Sequence, residues 1–209
     1  RSDGMLRPLA AGLLDLVLPP TCAVCGEVAD GLCLSCATSL PPSPCRAPPS
    51  GVDHAAALAA HAGAAREVVA ALKYRHHRDA LAVLGPALAR LATTFPGGRP
   101  DAVTWAATTP ARQRRRGADQ AQLLASEVAR WLSRPSRRLV ARRPGVPQSG
   151  QGRADRLGGP AYRPVDDAPQ HVLVVDDVWT TGATLAAAAV ALRAAGATRV
   201  DAVTVTVRP

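Results

Sequence analysis

The residues of this chain best suited to chemistry are two adjacent carboxylates, Asp176 and Asp177, and the threonine-rich turn that follows them within VLVVDDVWTTGAT (172–184). Carboxylate oxygens only accept hydrogen bonds, which suits the vicinal hydroxyls of a ribose, directly or beside a magnesium ion. Thr180, Thr181, Gly182, Ala183 and Thr184 form a turn that opens a helix. Such a turn offers unpaired N–H groups, hydroxyl donors and partial positive charge, and Gly182 lets the backbone close around an anion. The stretch reads as a ribose 5-phosphate site, with acids for the sugar and amides and hydroxyls for its phosphate. A plain strand end with a threonine helix cap accounts for one acid and one threonine, not for two acids and three threonines. The chain has no G-x4-G-K-[ST] and no G-x-G-x-x-G placed after a strand, so the common nucleotide-binding loops are excluded.

A second cluster lies at the front. Cys22, Cys25, Cys33 and Cys36 form two C-x2-C pairs, and each pair can wrap two thiolates around one metal ion. The spacing predicts a closed structural zinc site rather than a catalytic one, since four thiolates leave no open position. Cys45 is the odd one out. A disulfide cluster fits less well with an odd count and no secretion signal. His54 and His61 read as surface or packing residues.

The elements that must position these groups follow from periodicity. Val172 to Val175 is apolar without alternation, as in a strand buried on both faces, so the acids are expected at its carboxyl end, where open α/β sheets bind ligands. Thr184 to Ala195 reads as a helix, Gly196 as its stop, and Val200 to Val207 as another strand. Upstream, Ala55 to Ala92 reads as helical with a break near His76-His77, Asp101 to Thr108 as a strand, Gly117 to Leu132 as a helix and Arg138 to Ala141 as a short strand. Arg142 to Gln170, rich in Gly, Pro and Arg, reads as a long functional loop. The alternation predicts an α/β fold with a mainly parallel sheet flanked by helices. Pro41 to Gly51 reads as a proline-rich linker, giving a cysteine module over 5–50 and a main domain over 51–209.

The 209 residues are 47% hydrophobic but only 3% aromatic, so Leu, Val and Ala must build the core. A formal charge of +9 favours anionic partners, either nucleic acid or phosphorylated small molecules. No apolar run approaches the ~20 residues of a membrane helix. Leu9 to Leu18 is too short and is interrupted by Asp15; membrane insertion is not expected. Met5 reads as the natural start.

VVDDVWTTGAT resembles the phosphoribosyl-pyrophosphate (PRPP) motif of type I phosphoribosyltransferases. With the paired cysteines, Leu72-Lys73-Tyr74 and ATTPARQRRRGADQAQLLA (107–125), nearly the whole chain resembles the ComF family of competence-associated phosphoribosyltransferase-like proteins. The resemblance implies that Asp176 and Asp177 contact the ribose hydroxyls of PRPP and that Thr180 to Thr184 hold its 5′-phosphate. It implies that a loop near Thr108 to Arg112, Thr109 included, faces the pyrophosphate, with Mg2+ accompanying PRPP, and that Gln120 has a positioning role; the charges of Arg112, Arg114, Arg115 and Arg116 suit the same pyrophosphate. A mobile loop within Arg142 to Tyr162 would bring Gln148, Arg153 and Arg156 over the reaction, Arg153 as a catalytic contact. The family's usual Asn is missing before Ala161-Tyr162, where Gly158-Gly159 lies nearby. The resemblance further implies a cytoplasmic role with the DNA-uptake machinery in natural transformation. The alternative is a non-catalytic protein that binds single-stranded DNA through its arginine clusters, with Trp131 or Trp105 for stacking.

Overall fold

The structure, a computed structural model, describes residues 19–74, 79–107, 119–143 and 161–209. Its core is a four-stranded parallel sheet of β1 (His54–Ala60), β2 (Ala102–Trp105), β5 (His171–Trp179) and β6 (Arg199–Val207), in the order β1-β6-β5-β2. A separate two-stranded antiparallel pair joins β3 (Val140–Arg142) to β4 (Tyr162–Pro164). The helices are α1 (Leu34–Thr38), α2 (Gly63–Tyr74), α3 (Asp79–Ala92), α4 (Gln120–Leu132) and α5 (Ala183–Ala194). No helix among the described residues is long and apolar enough to cross a membrane.

The mainly parallel sheet flanked by helices is the architecture expected. The path from β1 to β2 runs across the sheet in one direction, and that from β5 to β6 in the other. Right-handed crossovers therefore put α3 and α5 on opposite faces. On the first face α3 packs closely against α4. A side chain at Gly85 would lie 2.6 Å from Glu127 Cβ, so only glycine allows this approach. The central strands are buried on both sides: Val172, Val174, Val175, Val200, Ala202 and Val203 are fully enclosed. Gly196 (φ 105°) follows α5, as the sequence suggests for a helix stop.

Two stretches here differ from expectation. Residues 54–60 form a strand rather than the start of a helix. Alanine favours helix, but here the strand is completed by hydrogen bonds to β6, and alternate residues Ala57 and Ala59 are buried. Tyr162–Pro164 forms a strand inside the stretch expected to be all loop; three residues are too few to show a period. The proline-rich segment makes contacts with the main sheet. Ala60 N–H donates to Pro41 O at 3.1 Å, and Arg46 reaches across to the ends of β5 and β6.

Candidate functional site

β5 does not stop at Val175, as its sequence suggested, but runs on to Trp179. Its neighbour β6 supplies the reason, because Thr204 and Thr206 continue the ladder opposite Asp176 and Val178. On the other flank β2 ends at Trp105, opposite Val175. Beyond that point β5 is paired on one side only. Asp176 and Asp177 therefore lie among the last residues of a strand whose other neighbour has ended, and both line a cavity of about 220 Å³.

The cavity gathers residues from six elements. β5 gives Asp176, Asp177 and Val178, and the turn into α5 gives Thr180 and Thr184. Lys73 comes from the end of α2, Gln120 from the start of α4, Arg142 from β3 and Tyr162 from β4. Lys73 Nζ sits 2.8 Å from Asp177 Oδ2. Burial pushes the Asp176 carboxyl well above the usual carboxylate range, and the Asp177 charge adds to this. The Asp177 N–H, donating to Asp176 Oδ1 at 2.8 Å, and Lys73 only partly oppose the rise. Burial, then the Asp176 charge, push the Tyr162 phenol up to about 12. Its O–H donates to Ala107 O at 3.0 Å and so ties the β3–β4 pair to the segment after β2.

The threonine turn is built for close approach. Gly182, at φ 84°, caps α5 without any side-chain hydrogen bond to the helix. A Cβ there would lie 2.8 Å from Pro49 Cγ and 3.0 Å from Trp179 Nε1, so both conformation and space require glycine. Ala183 N–H donates to Thr181 Oγ1 at 3.3 Å. Thr181 and Ala183 are exposed. Trp179 is buried, and its indole N–H has no acceptor among the described residues.

The four paired cysteines converge as their spacing predicts. Their sulfur atoms all lie within 4.8 Å of one another, and Cys25 and Cys33 Sγ are 3.7 Å apart. Four thiolates about 2.3 Å from one tetrahedral zinc would be separated by about 3.8 Å. The group could thus hold a metal ion. Burial pushes the Cys22 thiol up, but N–H donation from Cys25, Cys33 and Val24 outweighs it and brings the group down to about 6. Cys36 moves the other way, to about 12, chiefly because of the neighbouring Cys33 thiol. Sulfurs competing for negative charge in one small volume behave this way, and a cation would relieve them. Cys45 is exposed and outside the cluster.

Of the residues singled out in the sequence, Asp176, Asp177, Thr180, Thr184 and Gln120 share one cavity, and Thr181, Gly182 and Ala183 complete the adjoining turn. Thr109, Arg112, Arg116, Gln148, Arg153 and Arg156 lie outside the described residues. The sequence reading missed the role of Lys73 in pairing Asp177. Its signal was present, because it is the only lysine in a chain that otherwise uses arginine. Arg46 gave no such signal. Its contacts arise only when the proline-rich segment folds back on β5.

No protein-family model matches the chain, and no curated protein matches it. Among solved structures it is similar to a purine phosphoribosyltransferase from Pyrococcus horikoshii, with 19% identity, 60% of this chain and 70% of that chain covered, and a TM-score of 0.40. It is also similar to the allosteric regulatory enzyme of purine biosynthesis, with 21% identity, 66% of this chain covered and a TM-score of 0.42. The match spans only 26% of that second protein. Similarity at this level gives no substrate, so the functional reading rests on the cavity itself.

Proposed function

We propose that the cavity binds a phosphorylated ribose, with PRPP as the natural form, and that the protein is a phosphoribosyltransferase-like member of the ComF family. One observation carries the reading: Asp176, Asp177, Thr180 and Thr184 line a single cavity at the carboxyl end of a parallel sheet, beside the N-terminus of α5. Asp176 and Asp177 accept from the ribose hydroxyls, and the 180–184 turn donates to the 5′-phosphate. Mg2+ accompanies PRPP and offsets its charge. Turnover is displacement at ribose C1, in which a nitrogen–carbon bond forms as the carbon–oxygen bond to pyrophosphate breaks. Arg112, Arg116 and Arg153 are the cations assigned to that leaving group. A cytoplasmic role in DNA uptake is the biological extension of the ComF resemblance.

The cysteine cluster is proposed to hold structural zinc. Metal analysis should find one zinc per chain, and chelation should remove the exchange protection of amides 22–39 while the central sheet keeps its own. Metal-free protein with an ordered front module would overturn the assignment.

A second reading, single-stranded DNA binding, is favoured by Trp131, which is 53% exposed and has the Arg130 guanidinium 5.3 Å from its ring centre. It is weakened by ion pairs that already occupy Arg130 with Glu127 and Arg137 with Asp166. Thermal unfolding separates the two readings. PRPP with Mg2+ at about 100 times its Kd should add about 2.7 kcal/mol of stability. Stabilisation by single-stranded DNA alone, falling steeply with salt, would favour the second reading instead.

A further inference from the structure

We propose that Arg46, on the proline-rich segment, is a positioning residue for the phosphate-binding turn. The inference rests on the ribose-phosphate reading of the cavity and adds to it a residue far away in sequence.

The guanidinium of Arg46 reaches two carbonyls through Nη1: Thr180 O at 2.7 Å and Arg208 O at 2.8 Å. These follow the ends of β5 and β6, where the parallel ladder no longer supplies donors. Arg208 N–H in turn donates to Trp179 O at 2.8 Å. The same guanidinium lies 5.0 Å from the centre of the Trp179 ring, a cation–π contact. Pro49, three residues along, closes over Gly182. One short segment therefore touches Trp179, Thr180 and Gly182 at once.

The peptide plane supplies the mechanism. In a trans peptide the C=O and the following N–H point in opposite directions. Thr180 lines the cavity, whereas Arg46 does not. Holding the Thr180 carbonyl toward Arg46 turns that oxygen out of the cavity and leaves the Thr181 N–H on the opposite side. A carbonyl turned inward would meet a phosphate as a like-signed dipole end; an N–H meets it as a donor. Arg46 thus fixes which end of this peptide an anion encounters. The buried indole N–H of Trp179, without an acceptor among the described residues, lies 3.0 Å from where a Gly182 Cβ would be.

The test compares wild type with Arg46→Ala and Arg46→Lys, all as full-length, zinc-loaded chains, titrated calorimetrically with ribose 5-phosphate. Near-UV circular dichroism reports the setting of the tryptophans. Arg46→Ala should weaken ribose 5-phosphate about tenfold or more, the effect of losing charged hydrogen bonds that set a donor. Arg46→Lys, with a single ammonium in place of the planar fork, should fall between. Millimolar ethylguanidinium should restore most of the affinity of Arg46→Ala and leave wild type unchanged, which a general loss of stability would not allow. Wild-type binding with Arg46→Ala within twofold of it, or lost affinity that ethylguanidinium leaves untouched, overturns the role of Arg46 and leaves the ribose-phosphate reading standing. Failure of wild type to bind ribose 5-phosphate overturns that reading, and this inference with it. Should Arg46→Ala not fold, Arg46→Lys decides: affinity equal to wild type refutes the role.

Discussion

The two ends of the central sheet both hold enclosed aspartates, and they treat them in opposite ways. At the amino end, Asp201 is 1% exposed and fully partnered. His54 Nδ1 lies 3.0 Å from one of its oxygens, and His171 Nε2 and the Arg199 Nη2 each lie 2.8 Å from the other. Arg199 also donates to Pro96 O, and His54 stacks on Phe95. At the carboxyl end, Asp176 stands beside a second carboxylate, and one lysine, Lys73, pairs with Asp177. The sheet can evidently satisfy a buried carboxylate where it has three partners to offer. At the cavity the described residues leave acid oxygens and a helix N-terminus facing an open space, where the proposed ribose phosphate would sit.

Removing the well-partnered acid should cost the most stability. Asp201→Ala leaves Arg199 and two histidines around an apolar methyl, and should lower unfolding stability by about 3 kcal/mol in urea titrations. Ribose 5-phosphate affinity of the protein that remains folded should not change. The double substitution Asp176→Asn with Asp177→Asn should do the reverse, weakening PRPP or ribose 5-phosphate about 100-fold, some 2.8 kcal/mol, without loss of fold. Equal affinity in that variant would erase the contrast between the two ends.

The smallest effect is one of pH. The native state raises the Asp176 pKa above its unfolded value of about 3.9. Between those two values the native state keeps a proton that the unfolded chain releases, so stability is full below pH ~4 and declines as pH rises toward the native pKa. Asp176→Asn escapes that decline. At neutral pH its Tm should exceed wild type by roughly 2–4 °C, the shift that about 1 kcal/mol gives a domain of this size, and the gap should close below pH ~4. A lower Tm at neutral pH would mean that Asp176 is a compensated acid like Asp201.

Much of the carboxyl end was legible in the sequence because its signals are local. Four buried valines and leucines, two acids, three threonines and a glycine all fall within thirteen residues of one strand and one helix start. The cysteine cluster was legible for the same reason, since metal-ligand spacing is a local property. What escaped notice depends on partners distant in the chain. Residues 54–60, six of them alanine or leucine, carry no mark of a strand until β6 is beside them. The length of β5 is set by where β2 ends and β6 continues, not by its own residues. Asp201 carries no local signal of its role, because His54 and His171, which surround it, arrive from two other strands. Arg46 gives no local signal because its acceptors are 134 and 162 positions away.

The strand order also bears on how the chain folds. Among the described strands β1 has β6 as its neighbour, and the partners His54 and Asp201 are 147 positions apart. Synthesis must pass residue 199 before β1 finds β6 to dock against, and β5 lacks one flank until the same moment. Such distant pairing carries a large loop-closure penalty, and slow, late consolidation of the sheet follows. A nascent chain stalled short of residue 199 would keep its front half waiting, with an alanine-rich edge free to pair with neighbours.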